Sequence, residues 1–225
     1  MSDTHDALKE DAEQYYIRNT GNLHRKIDPV HDALRRINGV QPIRSILEIG
    51  CSTGWRLETV RKEFGSRGTG LEAGSEAVAS GQRLYPELDL RQGLAPEGLR
   101  AWLGIEQFDC IVLGFFAYLL PRKEIFRLAA DVDELLEDDG HLVVSDFLYP
   151  SSISVPYTHH PGLTTYKLDP SSPWSWSPNY CQVERIVYHG NVPLPSLVEP
   201  GQWTTVDVLR KLSDDVAYPR KATRP

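Results

Sequence analysis

With 225 residues, 40% of them hydrophobic and 24% charged, the chain is long enough for one sizeable core and short for two. Its 31 Asp and Glu outweigh 24 Lys and Arg, and the resulting net charge of −7 disfavours a nucleic-acid ligand, whose phosphates need clustered cations. Three cysteines outside any CxxC pair, a charged N-terminal stretch and no long apolar run predict a soluble, cytoplasmic protein with reduced thiols and no membrane contact.

Residues 6–38 read as helical. Ala7, Leu8, Ala12, Tyr15, Tyr16 and Ile17 give one apolar side, and Val30, Ala33, Leu34 and Ile37 give a second at three-to-four spacing. From residue 43 onward strand and helix alternate. Strands are expected at 43–49, 67–73, 88–91, 108–116 and 141–147, the fourth (FDCIVLGFF) by its continuous apolar character. Helices are expected at 55–64, ending at Gly65, at 75–84, at 96–103 with Pro96 at its start, and at 121–136. Five strands separated by helices predict a doubly wound α/β sheet with parallel strands.

The alternation then breaks. Residues 148–179 are rich in Pro and aromatic side chains and read as an irregular insertion, and 180–189 and 203–209 then alternate like two strands of an antiparallel pair. The Pro-rich stretch 190–201 joins them, no internal repeat is found, and 221–225 reads as a frayed tail. The expected organisation is one domain over 1–225: a helical cap at 1–40, a core at 43–147, the insertion at 148–179 and a closing hairpin at 180–211.

The chemistry concentrates at Glu48-Ile-Gly-Cys-Ser-Thr-Gly54, where a strand meets a helix. Gly50 permits a sharp turn, the small Ser52 lets a ligand approach the backbone, and Gly54 lets the helix start lie close to the strand. Glu72 ends the second strand 22 residues after Gly50, the spacing of a carboxylate that accepts ribose hydroxyls. An acid at Glu48 would repel a pyrophosphate and attract an ammonium, which argues against a nicotinamide dinucleotide.

This stretch resembles motif I of the class I S-adenosylmethionine-dependent methyltransferases, with Ser52 where a middle glycine is usual. The resemblance runs from about residue 45 to 147, and the trailing hairpin fits the family's last two strands. It implies a Rossmann-like seven-stranded sheet of order 3-2-1-4-5-7-6 with one antiparallel strand, and S-adenosylmethionine as cofactor. It further implies that Glu48 faces the methionyl ammonium, and that Glu72 and Ala73 adjoin the ribose. Gly93 and Leu94 would adjoin the adenine, with Leu94 where the family often has Asp, and Gly114 would lie near the methyl-donor end. Tyr15-Tyr-Ile-Arg-Asn19 looks like a stretch found in some methyltransferases of surface-sugar biosynthesis. There Arg18 would pair with the cofactor carboxylate under Tyr16, or else be a surface arginine.

A hydroxyl acceptor benefits from a general base, and the candidates are His159 and His160 in the insertion and Asp146 at the end of the fifth strand. The insertion's aromatics suit a sugar or planar ring, and Lys167 and Arg185 suit an acidic or phosphorylated one. The expected acceptor is therefore a small molecule, first a hydroxyl of a sugar, sugar nucleotide or secondary metabolite, methylated by a monomer or homodimer. A non-catalytic binding module and an N-methyltransferase remain alternatives. No His or Cys spacing suggests zinc, and magnesium is unsupported, so no metal is expected.

Overall fold

Short, continuously buried runs and amphipathic stretches of period 3.6 alternate along the chain, and the computed structural model turns the first into strands and the second into covering helices. It describes residues 2–19, 28–149, 151–189, 192–193 and 203–219. Helices α1 (Ser2–Asn19) and α2 (Pro29–Val40) precede the sheet. Asp28 caps α2 by accepting the Val30 N–H at 3.2 Å, and Pro29 occupies the first turn, where its missing N–H costs nothing. The expected helix at 6–38 is thus two helices, and its middle, 20–27, lies outside the described residues.

The repeating unit follows: β1 (Ser45–Ile49), α3 (Trp55–Phe64), β2 (Arg67–Glu72), α4 (Ser75–Leu84), β3 (Asp89–Gln92), β4 (Phe108–Gly114), α5 (Arg122–Leu135) and β5 (Leu136–Phe147). After it come β6 (Ile153–Pro156), β7 (Thr164–Lys167), α6 (Ser172–Ser175), β8 (Tyr180–His189), β9 (Val192–Pro193), β10 (Thr204–Lys211) and α7 (Asp214–Ala217). The main sheet has the order β3-β2-β1-β4-β5-β10-β8-β9, in which β1 to β5 are parallel and β10 runs antiparallel to both of its neighbours. With β8 and β10 as sixth and seventh strands this is the expected order, lengthened at one edge by the two-residue β9.

Both faces of the sheet are buried. In β4, Ile111 and Leu113 enter one apolar cluster and Cys110 and Val112 the other; in β1, Leu47 and Ile49 face opposite to Ile46. Each such aliphatic side chain contributes about 1.5–3 kcal/mol by leaving water, which is why these runs carry no polar face. Helix α4 sits unusually close to the β1–α3 turn. A Cβ on Gly81 would lie 2.4 Å from the carbonyl oxygen of Thr53.

Four local expectations change. The helix expected at 96–103 is a shorter 3₁₀ turn, Glu97–Ala101. Strand β4 stops at Gly114 because Phe115 takes a left-handed backbone, φ 66°. Strand β5 begins at Leu136, not at 141: Asp139 at φ 65° forms a bulge, and Phe108 pairs with Leu136 before the register shifts. The insertion contains an antiparallel pair, β6 with β7, in place of wholly irregular chain. Most of the Pro-rich 190–201 stretch and the 221–225 tail lie outside the described residues.

Candidate functional site

The C-terminal ends of β1, β2, β4 and β5 open into a cavity of about 720 Å³, with α1 and the β6–β7 pair on its other side. This is where open α/β sheets place ligands. The β1–α3 turn forms its floor with three left-handed residues, Gly50 (φ 77°), Ser52 (φ 52°) and Gly54 (φ 76°). Glycine accepts this backbone freely, whereas at Ser52 it costs about 1–2 kcal/mol. Two hydrogen bonds help hold the loop in place. Ser52 N–H donates to Glu72 Oε2 at 2.8 Å, and Gly74 N–H donates to Glu72 Oε1 at 2.9 Å. Burial pushes the Glu72 carboxyl up, and these backbone donors pull it back. Each carboxylate oxygen keeps lone-pair capacity for a ligand, and Ser52 Oγ is buried without a partner.

Where β4 ends, Gly114 lies against the same turn: a Cβ there would meet the Gly50 carbonyl oxygen at 2.6 Å. Gly93, Leu94 and Ala73 also line the cavity. Gly54 does not, and a Cβ there would press on Leu88 and Leu90, each at 3.0 Å, so its role is to seat α3 on the sheet.

Glu48 is buried beside a group the sequence reading missed. Arg56, on the first turn of α3, contacts Glu48 Oε1 and donates to Asp28 at 2.6 Å, making a buried acid–base–acid row. Burial pushes the Glu48 carboxyl up and Arg56 pulls it down. Its second oxygen, Oε2, is buried without a partner, so one lone-pair face remains for an ammonium. The cavity also reads α1 differently from expectation. Tyr15 and Arg18 line it with Leu8, Asp11 and Ala12, while Tyr16 does not. Arg18 pairs with Asp11 at 3.3 Å. The three-to-four spacing of Leu8, Asp11, Tyr15 and Arg18 was the available signal for this face.

Beyond Gly114 the wall becomes aromatic. Phe115 meets Phe147 edge-on at 4.9 Å between centroids, Tyr118 meets Phe147 at 5.0 Å, and Tyr157 meets His159 at 5.3 Å. His159 lines the cavity, whereas His160 lies off its wall, 3.3 Å from Glu10. Asp146 is buried and also off the wall. Its carboxylate accepts the Phe147 N–H at 2.6 Å and the Tyr118 N–H at 3.1 Å, so it shapes the aromatic loops from behind. Arg185 is likewise spoken for, by Asp169 and Asp207, and lines no part of the cavity; Lys167 does.

Burial pushes the Asp146 carboxyl up to about 7, against the lowering effect of its backbone hydrogen bonds. The folded state therefore holds this proton more tightly than the unfolded chain. The stability it confers is complete below the ordinary carboxylate range and is lost as pH rises through about 7. Denaturation of wild type and Asp146→Asn across that range should show the wild-type advantage shrinking as pH rises. An advantage that grows instead would mean that the carboxylate is the favoured native form.

Among the described residues no group of three or more His, Cys, Asp and Glu is placed to hold a metal ion, and no helix is long and apolar enough to cross a membrane. No family model matches the chain. A curated relative, the dTDP-3-amino-3,4,6-trideoxy-α-D-glucopyranose N,N-dimethyltransferase of Streptomyces venezuelae, is 30% identical over 112 residues, 49% of this chain and 45% of the relative. The chain thus spans under half of that protein. Among solved structures, the 1,6-didemethyltoxoflavin N1-methyltransferase of Burkholderia thailandensis, bound to S-adenosylhomocysteine, aligns with a TM-score of 0.70 at 17% identity, over 92% of this chain and 88% of its own. An amino pentose methyltransferase from Micromonospora echinaspora, with S-adenosylmethionine bound, aligns at 0.61 and 17%, over 88% of this chain and 96% of its own. Strand order, glycine turn and these alignments agree: the chain has the fold of the class I S-adenosylmethionine-dependent methyltransferases.

Proposed function

We propose that the protein transfers a methyl group from S-adenosylmethionine to a nitrogen of a small molecule. The observation that carries this reading is the Glu72 carboxylate, held by the Ser52 and Gly74 N–H groups at the cavity floor with acceptor capacity to spare. The residues fit the cofactor. Glu72 would take the ribose hydroxyls, Glu48 Oε2 the ammonium, and Ser52 Oγ a polar group of the ligand. Ala73, Gly93 and Leu94 would bound the nucleoside through backbone and apolar contact.

Bound there, S-adenosylmethionine supplies an electrophilic methyl on a sulfonium. The protein's share is alignment and exclusion of water. Gly114, lacking a side chain, leaves room at the donor end. Phe115, Tyr118 and Tyr157 form an apolar wall that holds an acceptor against it. Nitrogen is favoured over oxygen on two grounds. A neutral amine needs no base, and Asp146, the fifth strand's candidate for one, is turned away behind the aromatic wall. The named relatives methylate nitrogen or bear amino sugars in their names.

Calorimetry with S-adenosylhomocysteine tests the cofactor site. Glu72→Ala is expected to weaken binding by about 1.5–3 kcal/mol, the worth of hydrogen bonds to a charged group. Absence of binding to the wild type at millimolar concentration would sink the proposal. A hydroxyl acceptor is the second reading, favoured by His159, which lines the cavity. With nitrogen, His159→Ala leaves turnover within a few fold; with oxygen and a histidine base it lowers kcat by roughly 10²–10⁴.

A further inference from the structure

The charges around the cavity divide unevenly. On the cofactor side every acid has a counterpart in the protein: Asp11 has Arg18, Asp28 and Glu48 share Arg56, and Glu72 has backbone N–H donors. On the aromatic side the balance tips the other way. Lys167, at the end of β7, is half-buried and lines the cavity, with its Nζ 4.2 Å from the centre of the Phe147 ring. No carboxylate among the described residues comes within ion-pair distance of that ammonium; the buried Asp146 carboxyl, behind the wall, feels it only through space. A ring face offers it less than a carboxylate partner and hydration would. Arg185, the other cation of this region, is closed to a ligand by Asp169 and Asp207.

We propose that Lys167 selects the acceptor, and that the acceptor is an organic anion whose carboxylate or phosphate pairs with the ammonium while its body lies along Phe115, Tyr118 and Tyr157. This deepens the methyl-transfer reading and rests on it for the word acceptor. The arrangement favours an anion for a simple reason. An acidic protein repels anions at long range, so a cation set in an aromatic wall without a contacting carboxylate gives discrimination through a short-range contact, and an ion there sits in a medium less screened than water. A neutral ligand of the same shape would leave the ammonium without a partner and lose that contact.

The test uses the whole chain, saturated with S-adenosylhomocysteine, and three probes of one shape: phenyl phosphate, benzoate and benzyl alcohol. The expected result is that one or both anions bind the wild type roughly 10–150-fold more tightly than the alcohol, the range for a charged hydrogen bond. Lys167→Met should abolish that preference, leave the alcohol unchanged, and keep affinity for S-adenosylhomocysteine; Lys167→Arg should restore it. Preference for phenyl phosphate alone assigns a phosphorylated acceptor, and for benzoate alone a carboxylate. Equal binding of all three probes by the wild type overturns the proposal, as does a preference that survives in Lys167→Met. If Lys167→Met fails to fold, the wild-type comparison and Lys167→Arg still decide. Failure to bind S-adenosylhomocysteine would sink the methyl-transfer reading by itself, with the anion preference measured separately on the free protein.

Discussion

Replacing Arg56 by Met is expected to destabilise the fold by about 3–5 kcal/mol, the cost of removing one partner from a buried charge cluster. For a chain of this size that lowers Tm by on the order of 10 °C. The reasoning is local. Glu48 is 2% exposed and Asp28 8% exposed, and Arg56 is the cation placed between them. Without it the Glu48 carboxyl loses the cation that pulls it down, and burial drives it further toward its protonated form. Stability of the variant should therefore recover as pH falls and worsen as pH rises, opposite to a loss of packing alone, which is indifferent to pH. Adding Glu48→Gln to the variant should restore part of the loss. A Tm within 2 °C of wild type would show that the row contributes nothing, and would remove Arg56 from any account of the turn.

Gly81→Ala carries the second large effect, with a sign opposite to helix propensity. In the interior of a helix the change ordinarily gains about 0.8–1.0 kcal/mol. Here the new methyl would stand 2.4 Å from the Thr53 carbonyl oxygen and 2.6 Å from Leu90, and the first of these is backbone that has no rotamer to escape into. Overpacking of this kind costs about 1–3 kcal/mol, so the clash wins. Because Thr53 belongs to the β1–α3 turn, α4 can retreat only by moving the floor of the cavity. Chemical denaturation should show the loss of stability, and calorimetry a weaker S-adenosylhomocysteine complex. A variant more stable than wild type would mean that α4 floats free of the turn.

Residues that act through their own backbone or spacing were legible in advance. Gly50, Gly114 and Glu72 stand where strand ends and turn geometry demand them, and β4 declares itself by a run in which neither face tolerates a polar group. Residues that act through tertiary partners were not legible. Arg56 reads as an ordinary helix cation until residues 28 and 48 close around it, because the three come from separate segments. Asp139 and Gly140 look like the end of a helix. They become part of β5 because the ladder closes on either side of them, Leu136 on Phe108 and His141 on Cys110 and Arg210, partners distant in sequence. Phe115 gives no warning of its left-handed backbone, which non-glycine residues rarely adopt. In the insertion the aromatics were visible, but Pro156 hid a strand that pairs at a free edge.

The β6–β7 pair hydrogen-bonds to itself and belongs to a sheet apart from the main one. Its chain leaves after β5 and returns before β8, yet it supplies Val155, Pro156, Thr165 and Lys167 to the wall facing the aromatic loops. The glycine turn and Glu72 owe nothing to that excursion. Lengthening, shortening or recharging the excursion alone would therefore redraw what the cavity admits and leave the turn and Glu72 in place. A cavity divided this way lets one half keep a fixed occupant while the other half changes what it admits.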